Sequence, residues 1–376
     1  MADDSFVVNF RNQALKLETT TDINELFEGI DLVNVSEVIL CPISKLLNFP
    51  TYSRSIDEIP PALTIICSAL LECKQLSEVD LSDNAFGQRS VDPVVPLLSG
   101  SLSLKVVKLA NVGLNWQGGQ ILAEALLASA EKSKKLKQPS NLISLGISKN
   151  LLRDGSASSW GEVIAAHSNL QRLEMLRTDL REDGIMAIAS ALAKCRDLRH
   201  LNLSDNVIAN YGSKAGKRGW KVVADVIRGA KDLQYLDLSS CLLEEDGCEE
   251  IIAALDAQTY PKLKRLNLNG NSFSEAHYAA LKDAITHKLS ALKVLNLVDN
   301  EDLEDSDTVD SIKELLEGRG GRLILEDEDE TEEEEEEGFV EEGGGSKLSA
   351  AKTEDSGIDQ LADSMVTSLT IEESKS

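Results

Sequence analysis

One spacing recurs along this chain and leaves little room for an ordinary globular fold. Leu198, Leu201, Leu203 and Asn206 stand in the order L-x-x-L-x-L-x-x-N. Leu201 and Leu203 are two residues apart, so both point to one side of a short strand. Leu198 enters the same core from the preceding turn. Asn206 follows where the chain turns away, and a short amide side chain there can satisfy backbone groups. The pattern returns at Leu76/Val79/Leu81/Asn84, Leu104/Val107/Leu109/Val112, Leu142/Leu145/Ile147/Asn150 and Leu170/Leu173/Met175/Thr178. Beyond Asn206 it returns at Leu233/Leu236/Leu238/Cys241, Leu263/Leu266/Leu268/Asn271 and Leu292/Leu295/Leu297/Asn300. Successive starts lie 28, 38, 28, 28, 35, 30 and 29 residues apart.

This is the leucine-rich-repeat pattern. A period of 28 or 29 has room for a strand, a full helix and two turns. The expected fold class is therefore α/β: a βα solenoid, a ribonuclease-inhibitor-like crescent with parallel strands on the concave face and helices on the convex face. One such unit is expected over residues 1–325. Residues 326–376 form an acidic tail expected to be mostly disordered, because a near-continuous run of glutamates cannot bury enough surface to fold.

The net charge is −26. From Glu326 onward there are 19 acidic residues and 3 lysines, a net of −16, which leaves −10 for the solenoid. Such a balance argues against general binding to nucleic-acid phosphates or anionic membranes and favours partners with basic surfaces. Six cysteines show no metal-ligand spacing and read as reduced core thiols of a cytosolic or nuclear protein. The opening residues predict no secretory leader. No apolar run is long enough for membrane insertion.

Residues 1–48 read as a cap: Leu15 and Leu17 suggest a strand, a helix begins near Ile23, and Val35, Val38, Leu40 and Ile43 follow the repeat spacing again. An insertion then runs from Phe49 to Pro61 and carries Arg54, Asp57 and Glu58 into a helix expected over Ala62–Leu71. Stacking alone does not require the arginine, so it reads as a solvated loop residue or as a functional one. A second insertion, Glu131–Pro139, follows a helix expected over Gly119–Ala130 and carries Lys132, Lys134, Lys135 and Lys137. It reads as a solvated loop or as a contact for an acidic partner. The third, Ala209–Gly219, only superficially resembles a phosphate loop, since Arg218 stands where a Mg²⁺-binding hydroxyl is needed. A last helix over Asp310–Leu316 and a capping strand over Leu323–Leu325 close the solenoid.

The four histidines are scattered, and neither G-x-S-x-G nor H-E-x-x-H occurs. An active site of the chain's own is not expected. Asp80, Lys108, Glu174, Asp205, Asp237, Asn267 and Asp299 are expected in an outward row on the concave face, a wide and mostly acidic surface suited to a protein partner.

Several short motifs are more specific than the repeat. Arg54-Ser-Ile-Asp57-Glu58-Ile-Pro60 is followed by Ser82-Asp-Asn84-Ala-Phe-Gly87, Lys149-Asn150-Leu-Leu-Arg-Asp-Gly155-Ser156 with Trp160, and Arg181-Glu-Asp-Gly184-Ile185. Together with the basic insertion and the acidic tail they resemble the GTPase-activating proteins of Ran over nearly the whole chain. The family's glycine before the arginine and lysine after it are Ser53 and Ile56 here. Lys149 stands for an arginine and Thr178 for an asparagine.

The resemblance implies a GTPase activator acting in trans in nucleocytoplasmic transport. Its partner would be Ran in its GTP form, with a Ran-binding protein as a third member and the activator itself a monomer. No cofactor of its own is implied, since GTP and Mg²⁺ are carried by the GTPase, whose own glutamine orients the attacking water. The resemblance assigns catalytic importance to Arg54 and Asn150. Arg54 organises the contact and Asn150 supports the glutamine region. It assigns partner contacts to Asp57, Glu58, Asn84, Lys149 and Arg181. As a ladder residue of its repeat, Asn150 also has a purely structural reading.

A cytoplasmic location, extending to the nuclear envelope and excluding the nuclear interior, would follow. Ile358, Leu361, Met365, Leu369 and Ile371 are spaced like a leucine-rich export signal; a docking helix and a featureless end are the other readings. Two further functional readings stay open: a non-catalytic leucine-rich-repeat adaptor or inhibitor, and an acidic histone-binding protein.

Overall fold

The computed structural model describes residues 6–9, 35–39, 59–84, 87–208, 217–303 and 306–326. The described elements fall in one compact unit, Met1–Asp329. Eleven strands pair in strict sequence order, every pair parallel. They are β1 (Phe6–Asn9), β2 (Val35–Ile39), β3 (Glu78–Asp80), β4 (Val106–Lys108), β5 (Ser144–Gly146) and β6 (Arg172–Glu174). Then follow β7 (His200–Asn202), β8 (Tyr235–Asp237), β9 (Arg265–Asn267), β10 (Val294–Asn296) and β11 (Arg322–Ile324).

The helices between them are α1 (Ile59–Glu72), α2 (Val95–Gly100), α3 (Trp116–Lys135), α4 (Arg153–Ala166) and α5 (Glu182–Leu192). The series continues with α6 (Lys217–Gly229), α7 (Glu244–Asp256), α8 (Glu275–His287) and α9 (Asp307–Glu317). Two short 3₁₀ turns, Gln88–Ser90 and Asp92–Val94, lead into α2.

The register follows the repeat. The middle residue of each strand, from Val79 and Val107 through Leu145, Leu173, Leu201, Leu236 and Leu266 to Leu295, pairs directly with its neighbour's. All are buried. The helices close this core from the other side. In α5, Ile185, Ile188, Ala189 and Leu192 fall at helical spacing on one buried face. Strands lie about 4.8 Å apart and packed helices about 8–10 Å apart, so the stack must bend toward the strand side.

Several boundaries differ from expectation. Helix α1 starts at Ile59, not Ala62, and takes Pro60 and Pro61 into its first turn, where a missing N–H costs nothing. Helix α3 absorbs the first five residues of the basic insertion. Ser133 faces the core, and lysines suit the negative end of a helix. Lys217 and Arg218 open α6 and do not belong to a loop. The first strand is Phe6–Asn9, which the leucine spacing did not reveal. Leu15, Leu17, Cys41, the helix near Ile23 and the tail after Glu326 lie outside the described residues.

Candidate functional site

The asparagines of the repeat build one edge of the solenoid. Asn150 is 2% exposed. Its amide donates to the carbonyls of Ile147 and Ser148 in its own repeat, at 2.9 and 3.1 Å, and to Leu109 one repeat back at 2.8 Å. Its oxygen accepts from the N–H groups of Val112 and Leu114, at 3.2 and 3.1 Å. Asn206 repeats the arrangement, donating to Met175, Leu203 and Ser204 and accepting from Thr178 and Leu180. Asn271 does the same against Leu238, Cys241 and Leu243. Asn84 donates to Leu81 and Ser82 at 2.7 and 3.0 Å. Where the ladder position is Cys241, its thiol takes the amide's place and donates to Leu203 O at 3.3 Å.

The residue just before each ladder position has a left-handed backbone. Asp83, Asn111, Lys149, Arg177, Asp205, Ser240, Gly270 and Asp299 have φ between 50° and 60°. The pairing of carbonyl and N–H groups across the ladder holds the chain in this turn, and the turn aims the preceding side chain out of the edge. Asp205 and Asp299 therefore belong to this row and not to the concave face, where the expected row placed them. Asn202 and Asn296 take those concave positions, in line with Asp80, Lys108, Glu174, Asp237 and Asn267.

The edge row is laced by polar contacts. Asn111 donates to Asp83 at 3.0 Å, and Arg177 pairs with Asp205 at 2.7 Å. Just past the ladder positions Asn150 and Thr178, Arg153 pairs with Asp179 at 2.9 Å. Lys149 stands exposed between Asn111 and Arg177. Arg181 is the residue before α5, and its N–H donates to Asp154 Oδ1 at 2.8 Å, as does Gly184 N–H at 3.1 Å. Asp154, at the start of α4, thus caps the next helix along, and the Arg181 side chain is exposed beside it. A Cβ on Gly184 would lie 2.3 Å from that carboxylate oxygen, which explains the glycine of the Arg181–Ile185 motif.

The structure brings Asn84, Lys149, Asn150 and Arg181 to this one edge. Asn84 and Asn150 are buried within the ladder, while Lys149 and Arg181 are presented outward. Arg54, Asp57 and Glu58 lie outside the described residues. Trp116, Leu151 and Arg153 are on the same edge and were not singled out from the sequence. Only Leu151 adjoins a ladder residue, and nothing in the local sequence separates these side chains from buried neighbours such as Leu114 and Leu152.

The concave face carries a second polar group. Glu174 pairs with Arg172 and lies 3.1 Å from His200 Nε2. The His200 ring stacks on Tyr235 at 4.1 Å, and Tyr235 donates to Asp237 at 3.0 Å. Burial would raise the Glu174 carboxyl, but His200 and Arg172 outweigh it and hold it down at about 2. Burial lowers His200, and the neighbouring Arg172 adds to this against Glu174, so the imidazole is neutral and Glu174 is the anion. Burial raises Asp237 despite its bonds to Ser239, Tyr235 and Asn267. Among the described residues no group of three or more His, Cys, Asp or Glu could hold a metal ion, and no helix is long and apolar enough to cross a membrane.

A leucine-rich-repeat family matches residues 194–214. Ran GTPase-activating protein 1 of Saccharomyces cerevisiae is 28% identical over 266 residues, 69% of this chain and 63% of that protein. The Ran GTPase-activating protein of Drosophila melanogaster is 26% identical, over 67% of this chain and 46% of its own length. The human NACHT, LRR and PYD domains-containing protein 5 is 29% identical over 62% of this chain but only 18% of itself. Each match thus spans less than two thirds of the relative. Among solved structures, the leucine-rich repeat-containing protein LegL7 from Legionella pneumophila covers 84% of this chain and 98% of its own, at 18% identity and a TM-score of 0.43.

The sequential parallel sheet and its buried asparagine ladder define a leucine-rich-repeat protein. Within that class, its sequence is like that of the Ran GTPase-activating proteins.

Proposed function

We propose that this chain activates GTP hydrolysis by a Ran-type GTPase. The observation that carries the reading is the similarity to Ran GTPase-activating proteins across the repeats that present Lys149 and Arg181. The GTPase brings GTP, Mg²⁺ and the glutamine that orients water. The activator supplies a rigid edge that docks on the GTP form, fixes that glutamine and excludes bulk water. Lys149 and Arg181 contact the partner. Asn150 holds the turn that displays Lys149, which makes it a positioning residue. Arg54, beside Asp57 and Glu58, organises the contact. A Ran-binding protein joins as a third member, the activator works as a monomer, and its place is the cytoplasm up to the nuclear envelope.

The repeat is shared with NACHT, LRR and PYD domains-containing proteins, which favours a plain adaptor as the second reading. Phosphate release from GTP-loaded Ran, with a trace of this chain added, separates the two. Turnover of Ran in large excess over the chain is expected; a rate equal to that of Ran alone leaves the adaptor. In the same assay Arg54→Ala is expected to lower stimulation by about 10²–10³-fold, the scale seen when a positioned polar group is removed, with circular dichroism unchanged.

A further inference from the structure

Three large apolar side chains stand exposed among the described residues: Trp116 at 39%, Leu136 at 60% and Leu151 at 55%. Leu136 lies beyond the far end of α3. Trp116 and Leu151 lie together on the ladder edge. Leu151 directly follows Asn150, its N–H donates to Leu114 O at 2.8 Å, and it forms a parallel bridge with Asn115. Trp116 is the first residue of α3, whose N-terminus is capped by Asn115 accepting from Gly118 at 2.9 Å. Beneath the indole runs the first turn of α4. A Cβ on Gly155 would meet Trp116 Cδ2, Cγ and Cβ at 3.1–3.3 Å, so the glycine lets the two elements meet this closely. The patch is thus rigidly supported, open to solvent and flanked by Lys149 and Arg153.

We propose that Trp116 and Leu151 form the apolar anchor on which the GTP-bound GTPase docks; this rests on the function proposed above. The occupant follows from three features. Lys149 and Leu151 are the two neighbours of one ladder asparagine, so the patch is continuous with the cationic contact surface. Its flanking cations suit a partner that carries a phosphate-rich nucleotide. An activator must also tell the GTP form from the GDP form, and the segments ordered by the γ-phosphate provide that difference. An aromatic anchor in a desolvated contact is the kind of group that dominates such binding.

The test uses the full chain with Trp116→Ala, Leu151→Asp and, as a control at the other end of α3, Leu136→Asp. Phosphate release from GTP-loaded Ran is followed over a range of Ran concentrations, with a urea melt for each variant. For Trp116→Ala and Leu151→Asp the half-saturating Ran concentration is expected to rise by about tenfold or more, with the maximal rate within about twofold. The melt of Leu151→Asp should match the parent, and that of Trp116→Ala should fall modestly as the indole's packing on α4 is lost. Leu136→Asp should match the parent. If the parent stimulates Ran and both edge variants saturate as it does, the anchor is refuted while the function stands. A fall in maximal rate at unchanged half-saturation also refutes it, since that marks a catalytic role. If the parent leaves Ran unstimulated, the function and the anchor fall together.

Discussion

Asn150 and Lys149 are adjacent, yet they do opposite work. Asn150 donates three hydrogen bonds and accepts two, all to backbone groups of two repeats. Removing the amide leaves buried N–H and C=O groups without partners, each costing about 1–3 kcal/mol. Asn150→Ala is therefore expected to destabilise the chain by about 2–4 kcal/mol in urea titration, and to lose stimulation as the turn relaxes. Lys149→Ala should leave the urea midpoint in place and weaken stimulation alone. A stable but inactive Asn150→Ala would show that the amide itself touches the partner. Thiols report on the same interior. Burial pushes Cys67 and Cys248 up to about 12 and Cys195 to about 11, and burial beside Glu72 brings Cys73 to about 11. Since the thiolate is the reactive form, the five described cysteines should resist alkylation in the native protein and react on unfolding.

At the scale of elements, stability gathers at the caps. Helix α3 ends with Lys137 at φ 58°, Lys137 N bonded to Lys134 O and Gln138 N to Ser133 O, both at 3.0 Å. This is the helix stop that favours glycine. Lys137→Gly is expected to raise stability by about 0.5–1 kcal/mol, read as a higher melting temperature. Asp154 ties α4 to α5 through Arg181 and Gly184, so Asp154→Ala should cost about 1 kcal/mol. The strands and their register were legible in the sequence because the first, fourth and sixth positions of the repeat are apolar. Helix α3 was not legible to its end: Lys132, Lys134 and Lys135 look like a loop until Ser133 is seen facing the core. The outward placement of Asp205 and Asp299 was legible, but not their departure from the concave row, because the left-handed turn that diverts them is a product of the ladder. Lys149 and Arg181 could be picked out by motif; Trp116 and Leu151 could not, since nothing local distinguishes them from core leucines and aromatics.

Across the whole molecule, two buried histidines set the acid response. Burial lowers His167, partly offset by its bond to Leu126 O, and its other nitrogen lies 2.5 Å from Ser140 Oγ. Burial lowers His200 as well. Their ordinary value is 6.5, so below it the unfolded chain takes up protons that the folded chain refuses. The stability they contribute is present above that pH and is lost as pH falls. Glu174, ordinarily at 4.5 and here at about 2, adds a loss at lower pH, while Asp237, raised on folding, opposes it. The melting temperature should therefore fall between pH 7 and pH 5, and His167→Gln should flatten that slope. An unchanged slope would place the proton uptake on another group.

The ladder has a consequence for how such a protein can change. Its ladder residues, asparagine at most positions, fix the backbone of each turn without using the side chain that precedes them. Asp83, Asn111, Lys149, Arg177, Asp205, Ser240 and Asp299 can thus be rewritten like type on a fixed line. The grammar is loose but real: a left-handed turn accepts glycine and short polar residues most easily and β-branched ones least. Partner choice can drift one letter at a time while the frame that prints it stays the same.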